Sequence, residues 1–449
     1  EFPDPISKVC WDNYLAVPLS MAKAKGWSQD DIVKIQVGTN TPLELPVLIQ
    51  PGQAVGTVAI AIGYGREKAG KAGNKVGKNV YPFVSTSTGA LIFNNVVTSI
   101  EKTGETRKIA QTQTHHTIMG RQNVQESTLT EYMKPNGKNA KGELVGDMAG
   151  RFVPMVSVNE GGNEQGKKAP EEVLLWSTKP NASMPKNHQW GMVIDLNSCI
   201  GCGSCVIGCQ AENNVPVVGR QEIINAREMH WIRIDRYYSS DSPTTNDKSI
   251  AGLLDKRSEE PSENPKVVFQ PMMCQHCNNA PCETVCPVLA TTHSMEGLNQ
   301  MTYNRCIGTR YCANNCPYKV RRFNWFSYYN NSTFDYNMND SLGKMVLNPD
   351  VTVRARGVME KCSMCVQRIQ DGKLTAKKAN RRPADGEIET ACSQSCPTEA
   401  IVFGDMNDPE SNIAKLLKVE KEGRAYHVLE EINVNPSVSY LSKIRNTKA

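Results

Sequence analysis

Sulfur ligands are the most distinctive chemical feature of this sequence: fifteen of its sixteen cysteines fall between Cys199 and Cys396, in four groups. The first group has the CxxCxxCxxxC spacing of bacterial ferredoxins, whose thiolates bind iron-sulfur clusters. The third group repeats this spacing but has Thr309 in place of its second cysteine. In chain order the groups are Cys199, Cys202, Cys205 and Cys209; Cys274, Cys277, Cys282 and Cys286; Cys306, Cys312 and Cys316; and Cys362, Cys365, Cys392 and Cys396.

The spacing suits a cubane of iron and sulfide, which takes deprotonated sulfur at its iron corners. Three closely spaced cysteines let one loop surround three corners, and in two-cluster ferredoxins the last cysteine ligates the other cluster. Pro287, Pro317 and Pro397 follow the last cysteine of three groups, whereas Gln210 follows that of the first. Proline fixes φ and disfavours helical geometry before it, so the chain should leave each cluster sharply.

An internal repeat predicts how the groups pair. The runs LNSCIG and YNRCIG, around Cys199 and Cys306, share an asparagine two residues before the cysteine and an Ile-Gly pair after it. We interpret this as two ferredoxin-like units, the second nested inside the first, so that the first group pairs with the fourth and the second with the third. We call the four resulting sets cages. Cage I is Cys199, Cys202, Cys205 and Cys396; cage II is Cys362, Cys365, Cys392 and Cys209; cage III is Cys274, Cys277, Cys282 and Cys316; cage IV is Cys306, Cys312 and Cys286.

Cage IV has only three cysteines because Thr309 occupies the expected fourth position. Threonine is a poor substitute for thiolate at iron. The sequence therefore predicts a 3Fe-4S cluster in cage IV and a 4Fe-4S cluster in each of the other three. A 4Fe-4S cluster with an oxygen ligand at one corner is the alternative for cage IV.

Zinc and disulfides are the competing explanations for so many cysteines. Structural zinc sites usually join two CxxC arms and take four ligands per ion, unlike the CxxxCP endings found here. If the cages held zinc, the protein would be a structural or binding module. A disulfide framework is typical of a much smaller secreted domain. We favour iron-sulfur clusters.

Length and composition limit the other classes. A chain of 449 residues predicts about three domains. The net charge of +5 does not by itself indicate a nucleic-acid partner. No apolar run approaches the roughly 18 residues that a membrane helix needs, so we expect no membrane span. The chain begins at Glu1 without methionine or a signal-like run, and we expect its sequence to continue upstream.

Residues 1–110 are predicted to form a small barrel-like β unit. A helix is expected from Pro18 to Lys25 with Gly26 as its stop, followed by strands over Ile32–Val37, Glu44–Ile49 and Thr57–Gly63. This region contains WDNYLAVPLSMAKAKGWSQDDIVKIQVG and ELPVLIQPGQAVGTVAIAIGYGR, and it resembles the C-terminal β-barrel domain of molybdopterin-dependent oxidoreductases. The resemblance implies a domain that helps hold a pterin cofactor; we favour a scaffold that persists without it.

The expected architecture is therefore α+β. Residues 111–185 are predicted to be a linker, and 186–410 a duplicated, nested, four-cluster ferredoxin-like domain. Residues 411–449 should supply a short helix and an extended arm suited to lying across a neighbouring protein. Within the cluster domain, the run WGMVID should be a strand that leads into the first cysteine loop, and TEAIVFGD should close a ferredoxin sheet.

Several side chains near the cages are candidates for contact with the clusters. Lys319, Arg321 and Arg322 follow Cys316, and we predict that they tune the cluster potentials, which respond to charge and hydrogen bonds. A solvated or partner-facing basic patch is the alternative. His276 is predicted to donate a hydrogen bond near its cluster rather than to bind iron.

The cluster region resembles a known family. Its runs HQWGMVIDLNSCIGCGSCVIGCQAENNVPVVG and PMMCQHCNNAPCETVCPVLATTHSMEGLNQMTYNRCIGTRYCANNCPYKVRRFNWF are similar to the iron-sulfur half of the cluster-carrying subunit of alternative complex III, a bacterial quinol-oxidising respiratory complex. The resemblance implies a peripheral, non-catalytic subunit on the periplasmic face of the inner membrane, with three 4Fe-4S clusters, one 3Fe-4S cluster and no molybdenum.

The same resemblance implies partners and a direction. Electrons from a quinol-binding integral membrane subunit would enter near the 3Fe-4S cluster and pass to multihaem cytochrome c subunits and a terminal oxidase. Polysulfide-reductase-type molybdenum enzymes share the cysteine groups, so the iron-sulfur portion of a molybdenum-dependent fusion is the alternative. Molybdenum content would separate the two.

Overall fold

The computed structural model describes most of the chain. The described residues are 1–70, 72–116, 123–132, 156–160, 163–168, 187–239, 263–334, 340–420 and 424–446. The linker predicted over 111–185 lies largely outside these ranges. For 156–160 and 163–168 the description is limited to two paired strands.

The N-terminal region contains one helix and an open sheet. Its elements are α1 Leu19–Lys25 and the strands β1 Leu15–Val17, β2 Asp31–Val37, β3 Leu43–Ile49, β4 Ala59–Ile60, β5 Ser85–Ser87, β6 Ala90–Ile92 and β7 Val97–Thr106. The predicted helix is confirmed, and its stop has a physical cause: Gly26 adopts φ +64°, from which its N–H closes onto the carbonyls of Ala22 and Lys23.

The predicted barrel is wrong, because this sheet does not close. Its strand order is β4-β1-β3-β2-β7, with a small hairpin of β5 and β6 beside it. The expected strand over Thr57–Gly63 shortens to the two residues of β4, which pair only with β1, while β7 pairs only with β2. The two edge strands therefore remain unpaired with each other among the described residues. Alternating side chains of the central strands, such as Val33 and Ile35, form the core beneath the sheet.

The cluster region is built around a four-stranded sheet. The elements of the middle of the chain are β8 Glu126–Thr128, α2 Leu129–Tyr132, β9 Val156–Glu160, β10 Asn163–Lys168, β11 Trp190–Asp195, α3 Ser204–Glu212, α4 Arg220–Ile224, β12 Arg233–Ser239, β13 Lys266–Met272, α5 Pro281–Thr284, β14 Thr291–His293 and β15 Asn299–Met301. Those that follow are α6 Tyr311–Asn314, β16 Arg322–Phe323, β17 Met359–Glu360, α7 Val366–Lys378, α8 Ala391–Gln394, β18 Ile401–Asp405, α9 Asn412–Glu420, β19 Ala425–Tyr426, β20 Val438–Leu441 and β21 Lys443–Arg445.

Strand β11 lies at the centre of this sheet, whose order is β18-β11-β20-β19. The prediction for TEAIVFGD is confirmed, since β18 pairs antiparallel with β11 from Trp190 opposite Asp405. The C-terminal arm differs from its prediction: β20 pairs parallel with β11 and all four of its residues are buried. A strand covered on both faces belongs inside a sheet, so the arm completes this chain's own core instead of lying across a neighbour.

The two halves of the chain contact each other directly. Gln50 Nε2 at the end of β3 donates to Tyr238 Oη of β12 at 2.8 Å, and Arg236 Nε donates to the carbonyl of Ile6 at 2.8 Å. The N-terminal sheet is thus fixed to the ribbon of β12 and β13.

In the part of the chain that the structure describes, no helix combines the length and the apolar character needed to cross a membrane.

We predict that Ile194→Ala destabilises the cluster region. Ile194 is fully buried in β11, where removing a large aliphatic side chain should cost about 2–5 kcal/mol. The apparent unfolding temperature, recorded at one scan rate, should fall by several degrees. Ile207→Ala, on the exposed face of α3, is the matched control and should leave it unchanged. Equal effects of the two substitutions would contradict the placement of β11 at the centre of the sheet.

Candidate iron-sulfur centres

Cage I is assembled at the end of the central strand. Its first three cysteines come from the loop after β11 and from the first turn of α3, and Cys396 comes from the turn before β18. All four line a single small cavity, which Ile200 and Pro397 help to close. Burial raises the pKa of the Cys205 thiol to about 12, and the charges of the neighbouring cage thiols contribute to the rise.

Cage II lies behind α3. Burial raises the pKa of Cys209, and the thiols of Cys362, Cys365 and Cys392 raise it further, so the structure brings all four together. Backbone N–H groups point at the sulfurs: Met364 N donates to Cys362 Sγ at 3.3 Å, and a second backbone N–H reaches Cys365 Sγ at 3.4 Å. Such hydrogen bonds favour a thiolate bound to iron.

Cage III gathers the second cysteine group around Cys316. Burial raises the pKa of Cys277, and the thiols of Cys274, Cys316 and Cys282 raise it further. The short helix α5 contains Cys282, and the short helix α6 ends just before Cys316. The two helices pack against each other. The structure therefore brings together the four cysteines that the repeat assigns to cage III.

Cage IV is a cavity with three sulfur ligands and one hydroxyl. Cys286, Cys306, Cys312 and Thr309 all line it. Cys286 Sγ accepts a hydrogen bond from Ala290 N at 3.1 Å. Although burial opposes the shift, backbone hydrogen bonds lower the pKa of Cys286 below the ordinary value. The structure thus places Thr309 in the lining of the same cavity as the three cysteines.

The Ile-Gly repeat has a steric explanation. Gly201 and Gly308 both adopt the left-handed region, with φ of +71° and +73°. A side chain at Gly201 would collide with the ring of Phe269, and one at Gly308 would collide with the carbonyl oxygen of Gly357. Glycine is required at both positions so that each loop can turn tightly around its cage.

Cysteines of neighbouring cages lie close enough to affect one another's pKa. Burial raises the pKa of Cys392 in cage II to about 12, and the thiol of Cys205 in cage I contributes to that shift. Burial likewise raises the pKa of Cys362 in cage II, with a contribution from Cys274 in cage III. Charge interactions weaken with distance, so these contributions indicate that cage II lies near both cage I and cage III.

Cages III and IV are joined by one buried side chain. Arg321 Nη2 donates to Cys282 Sγ of cage III at 3.2 Å. Burial raises the pKa of Cys312, a cage IV thiol, and the guanidinium of Arg321 partly offsets this rise. The four cages therefore follow one another in the order I, II, III, IV.

The residues of the cages fit iron-sulfur clusters. All sixteen cysteines are free thiols in the structure. Buried thiols that raise one another's pKa stay protonated unless a metal supplies positive charge, and iron does so when it binds thiolate. Among the described residues, no three His, Cys, Asp or Glu side chains converge on a single ion; ligands of a cluster bind separate iron atoms and need not converge.

Comparison with known proteins agrees with this chemistry. Two family models described as 4Fe-4S dicluster domain match residues 198–290 and 265–339. The menaquinone reductase iron-sulfur cluster-binding subunit of Nitratidesulfovibrio vulgaris is 36% identical over 260 residues, which cover 57% of this chain and 89% of that protein. This chain belongs to the 4Fe-4S dicluster family of iron-sulfur reductase subunits.

Two further relatives of this iron-sulfur protein cover a similar share of the chain. A protein of Halobacterium salinarum that is named as a dimethyl sulfoxide reductase iron-sulfur subunit is 34% identical over 56% of this chain and 79% of its own length. The Hdr-like menaquinol oxidoreductase iron-sulfur subunit 1 of Archaeoglobus fulgidus is 29% identical over 57% of this chain and 84% of its own length.

The structure separates the three basic residues that were predicted to tune the clusters. Arg321 is buried against the sulfur of cage III. Lys319 is exposed and its Nζ donates to the carbonyl of Asn314 at 2.6 Å. Arg322 Nη1 forms an ion pair with Glu228 at 2.8 Å. Of the three, only Arg321 directly contacts a cage.

His276 is fully buried in the loop between Cys274 and Cys277. Its Nδ1 accepts a hydrogen bond from the backbone N–H of Asn299 at 3.1 Å. Burial lowers the pKa of His276 well below the ordinary value, and a hydrogen bond to the backbone of Cys362 partly offsets this effect. The ring is therefore neutral. The predicted donation of a hydrogen bond near the cluster stays a prediction.

Sequence reasoning missed two residues at cage III. Lys361 is buried. Its position immediately before Cys362 is the sequence feature that could have identified it as a residue near a cage. Asn299 lies in β15, where nothing in the sequence marks it, yet its Nδ2 donates to Cys282 Sγ at 3.7 Å. Both depend on long-range packing between the nested halves.

We predict that Cys209→Ser lowers the iron content of the purified protein by up to one cluster per chain, because it removes one thiolate of cage II. Cys10→Ser is the matched control, since Cys10 is also buried but lies in the N-terminal region, away from the cages. Iron and acid-labile sulfide assays check this. Equal iron content in Cys209→Ser and Cys10→Ser would contradict the cage II assignment.

Proposed function

We propose that this chain is the electron-transfer subunit of a membrane-associated, quinol-oxidising respiratory complex. The observation that carries the proposal is the row of four adjacent cages, whose ligand types suit iron-sulfur clusters. Clusters bound in the cages would accept and release single electrons. The chain's own residues hold the thiolates, exclude water through burial and leave the two ends of the row near the surface.

The cage IV end is the proposed point of electron entry. Three exposed large side chains, Leu289, Ile307 and Tyr311, lie within three residues of its cysteines along the chain, and Ile307 is 66% exposed. Apolar side chains clustered at a surface mark an interaction site, and this one suits a quinol-binding integral membrane subunit. At the other end, Ile200 is exposed beside cage I, where a haem-bearing acceptor would dock.

The proposed cofactors are three 4Fe-4S clusters and one 3Fe-4S cluster. The support for the 3Fe-4S cluster is that Thr309 lines the cage IV cavity with only three cysteines. A 4Fe-4S cluster with an oxygen ligand at one corner is the alternative for the same cavity. The two differ by one iron atom per chain.

We predict that Thr309→Cys converts cage IV to a complete cubane site. The protein should gain about one iron atom per chain, because a fourth thiolate becomes available, and should lose the EPR signal of an oxidised 3Fe-4S cluster. Thr309→Ser is the control and should change neither property, since it keeps a hydroxyl. An unchanged EPR spectrum in Thr309→Cys at unchanged iron content would refute the 3Fe-4S proposal.

We assign the complex to the alternative complex III type, on the periplasmic face of the bacterial inner membrane. Support comes from the resemblance of the cluster region, and from the N-terminal region, whose sequence resembles a molybdopterin-oxidoreductase domain although its sheet is open. In this assignment, the chain binds no molybdenum and works with multihaem cytochrome c subunits and a terminal oxidase. Among relatives, one is named a menaquinone reductase subunit and another a menaquinol oxidoreductase subunit.

The second candidate function is the iron-sulfur portion of a molybdenum-dependent reductase. The observation that favours it is that other relatives are named as subunits of a dimethyl sulfoxide reductase and a tetrathionate reductase. Metal analysis of the intact complex separates the candidates: the assignment to alternative complex III requires iron without molybdenum, and a stoichiometric amount of molybdenum would favour the reductase.

We predict that Ile307→Glu slows the reduction of the clusters by quinol in the purified complex, because a charge is placed in the apolar surface at cage IV. Ile207→Glu is the matched control: Ile207 is 52% exposed on α3, at the cage I end of the row. Reduction is followed by bleaching of the visible absorbance, with iron content measured in each variant. Equal reduction rates in both variants at full iron content would contradict electron entry at cage IV.

A further inference from the structure

Two buried cations flank cage III. Arg321 is 6% exposed and Lys361 is 1% exposed. Arg321 lies on the side of cage IV, where its guanidinium reaches Cys282 Sγ at 3.2 Å. Lys361 lies on the side of cage II, with its Nζ donating to the carbonyl of Cys362 at 2.9 Å. Each cation therefore stands at a junction between two cages.

Asn299 connects the two cations. Arg321 Nη2 donates to Asn299 Oδ1 at 3.1 Å, and Lys361 Nζ donates to the carbonyl oxygen of the same residue. The side-chain amide of Asn299 in turn donates to Cys282 Sγ. Both cations are thus held in fixed positions around one sulfur of cage III.

The hydrogen-bond partners of the two cations differ from those of Arg354, which is also buried. Arg354 pairs with Glu360 at 2.9 Å. Within the described residues, Arg321 and Lys361 instead contact hydroxyl, carbonyl, amide and sulfur groups. A buried charge is costly unless an opposite charge compensates it. The Glu283 carboxylate lies beyond Asn299, whose Nδ2 donates to it. Thiolates bound to a cluster would supply the negative charge that Arg321 contacts directly.

We propose that Arg321 and Lys361 together raise the reduction potential of the cluster held by cage III, and that Arg321 alone also raises that of cage IV. The proposal rests on the proposed electron-transfer function. Reduction adds one electron, received from a neighbouring cluster, and no bond forms or breaks. Because the compensating positive charges are already in place, the added negative charge is stabilised without uptake of a proton.

The two cations affect different sets of cage cysteines, so the proposal predicts a different result for the loss of each. The charge of Arg321 acts on Cys282 in cage III and on Cys312 in cage IV. The charge of Lys361 acts on Cys282. Loss of Arg321 should therefore lower the potentials of two clusters, whereas loss of Lys361 should lower that of the cage III cluster and spare that of cage IV.

The test is an EPR-monitored redox titration of the purified complex with dithionite as the reductant. Arg321→Gln should shift the midpoint potentials of the cage III and cage IV clusters to lower values, and Arg321→Lys should restore part of each shift. Lys361→Gln should shift the cage III cluster and leave the cage IV cluster unchanged. Lys319→Gln is the control, because it removes an exposed cation from the same loop, and it should shift neither.

Iron content is measured in every variant. Unchanged midpoint potentials in Arg321→Gln and Lys361→Gln at full iron content would overturn the proposal, as would equal shifts in Lys319→Gln. If Arg321→Gln loses iron, the midpoint potentials of Arg321→Lys and Lys361→Gln at full iron content test the proposal instead, and unchanged potentials in both would overturn it. Since the titration uses a chemical reductant, it needs no quinol, and a failure of quinol-driven reduction with these shifts intact would count against the proposed function alone.

Discussion

The structure depends on the burial of many thiols that have too little positive charge beside them. Burial raises the pKa of thiols in cages I, II and III, and neighbouring thiols raise it further. Left without a metal, such groups would remain neutral and contribute only modest packing. Iron changes this balance, since it binds thiolate and releases the proton. Cluster binding and folding of this region are therefore linked, and the sheet around β11 supplies the rigid frame on which the loops are held.

Charge explains how the row can carry electrons through a protein interior. Each reduction adds a negative charge in a region of low polarity, where it is costly unless donors or cations lie nearby. Backbone N–H groups supply part of this stabilisation at every cage. Arg321 and Lys361 supply a further part at the middle of the row. Under the proposed function, these donors and cations would make the potentials of the clusters differ.

The features that could be predicted from the sequence are those encoded locally. Cysteine spacing, the Ile-Gly repeat and the gap at Thr309 were sufficient to group the cage residues, because each loop wraps its own cage. Helix α1 and strand β18 were likewise predictable from a terminating glycine and a strand pattern. What could not be predicted depends on distant segments. Strand β20 inserts beside β11 from the far end of the chain, and the N-terminal sheet stays open because β4 is only two residues long.

The central claim is that one polypeptide holds a continuous row of four clusters. Mössbauer and EPR spectroscopy of the purified complex, combined with iron and sulfide quantitation per chain, tests it most directly. The account predicts about fifteen iron atoms in this chain, distributed over three 4Fe-4S clusters and one 3Fe-4S cluster that are magnetically coupled to their neighbours when reduced. An iron-free chain, or one with fewer than four clusters or with clusters that show no coupling, would contradict it.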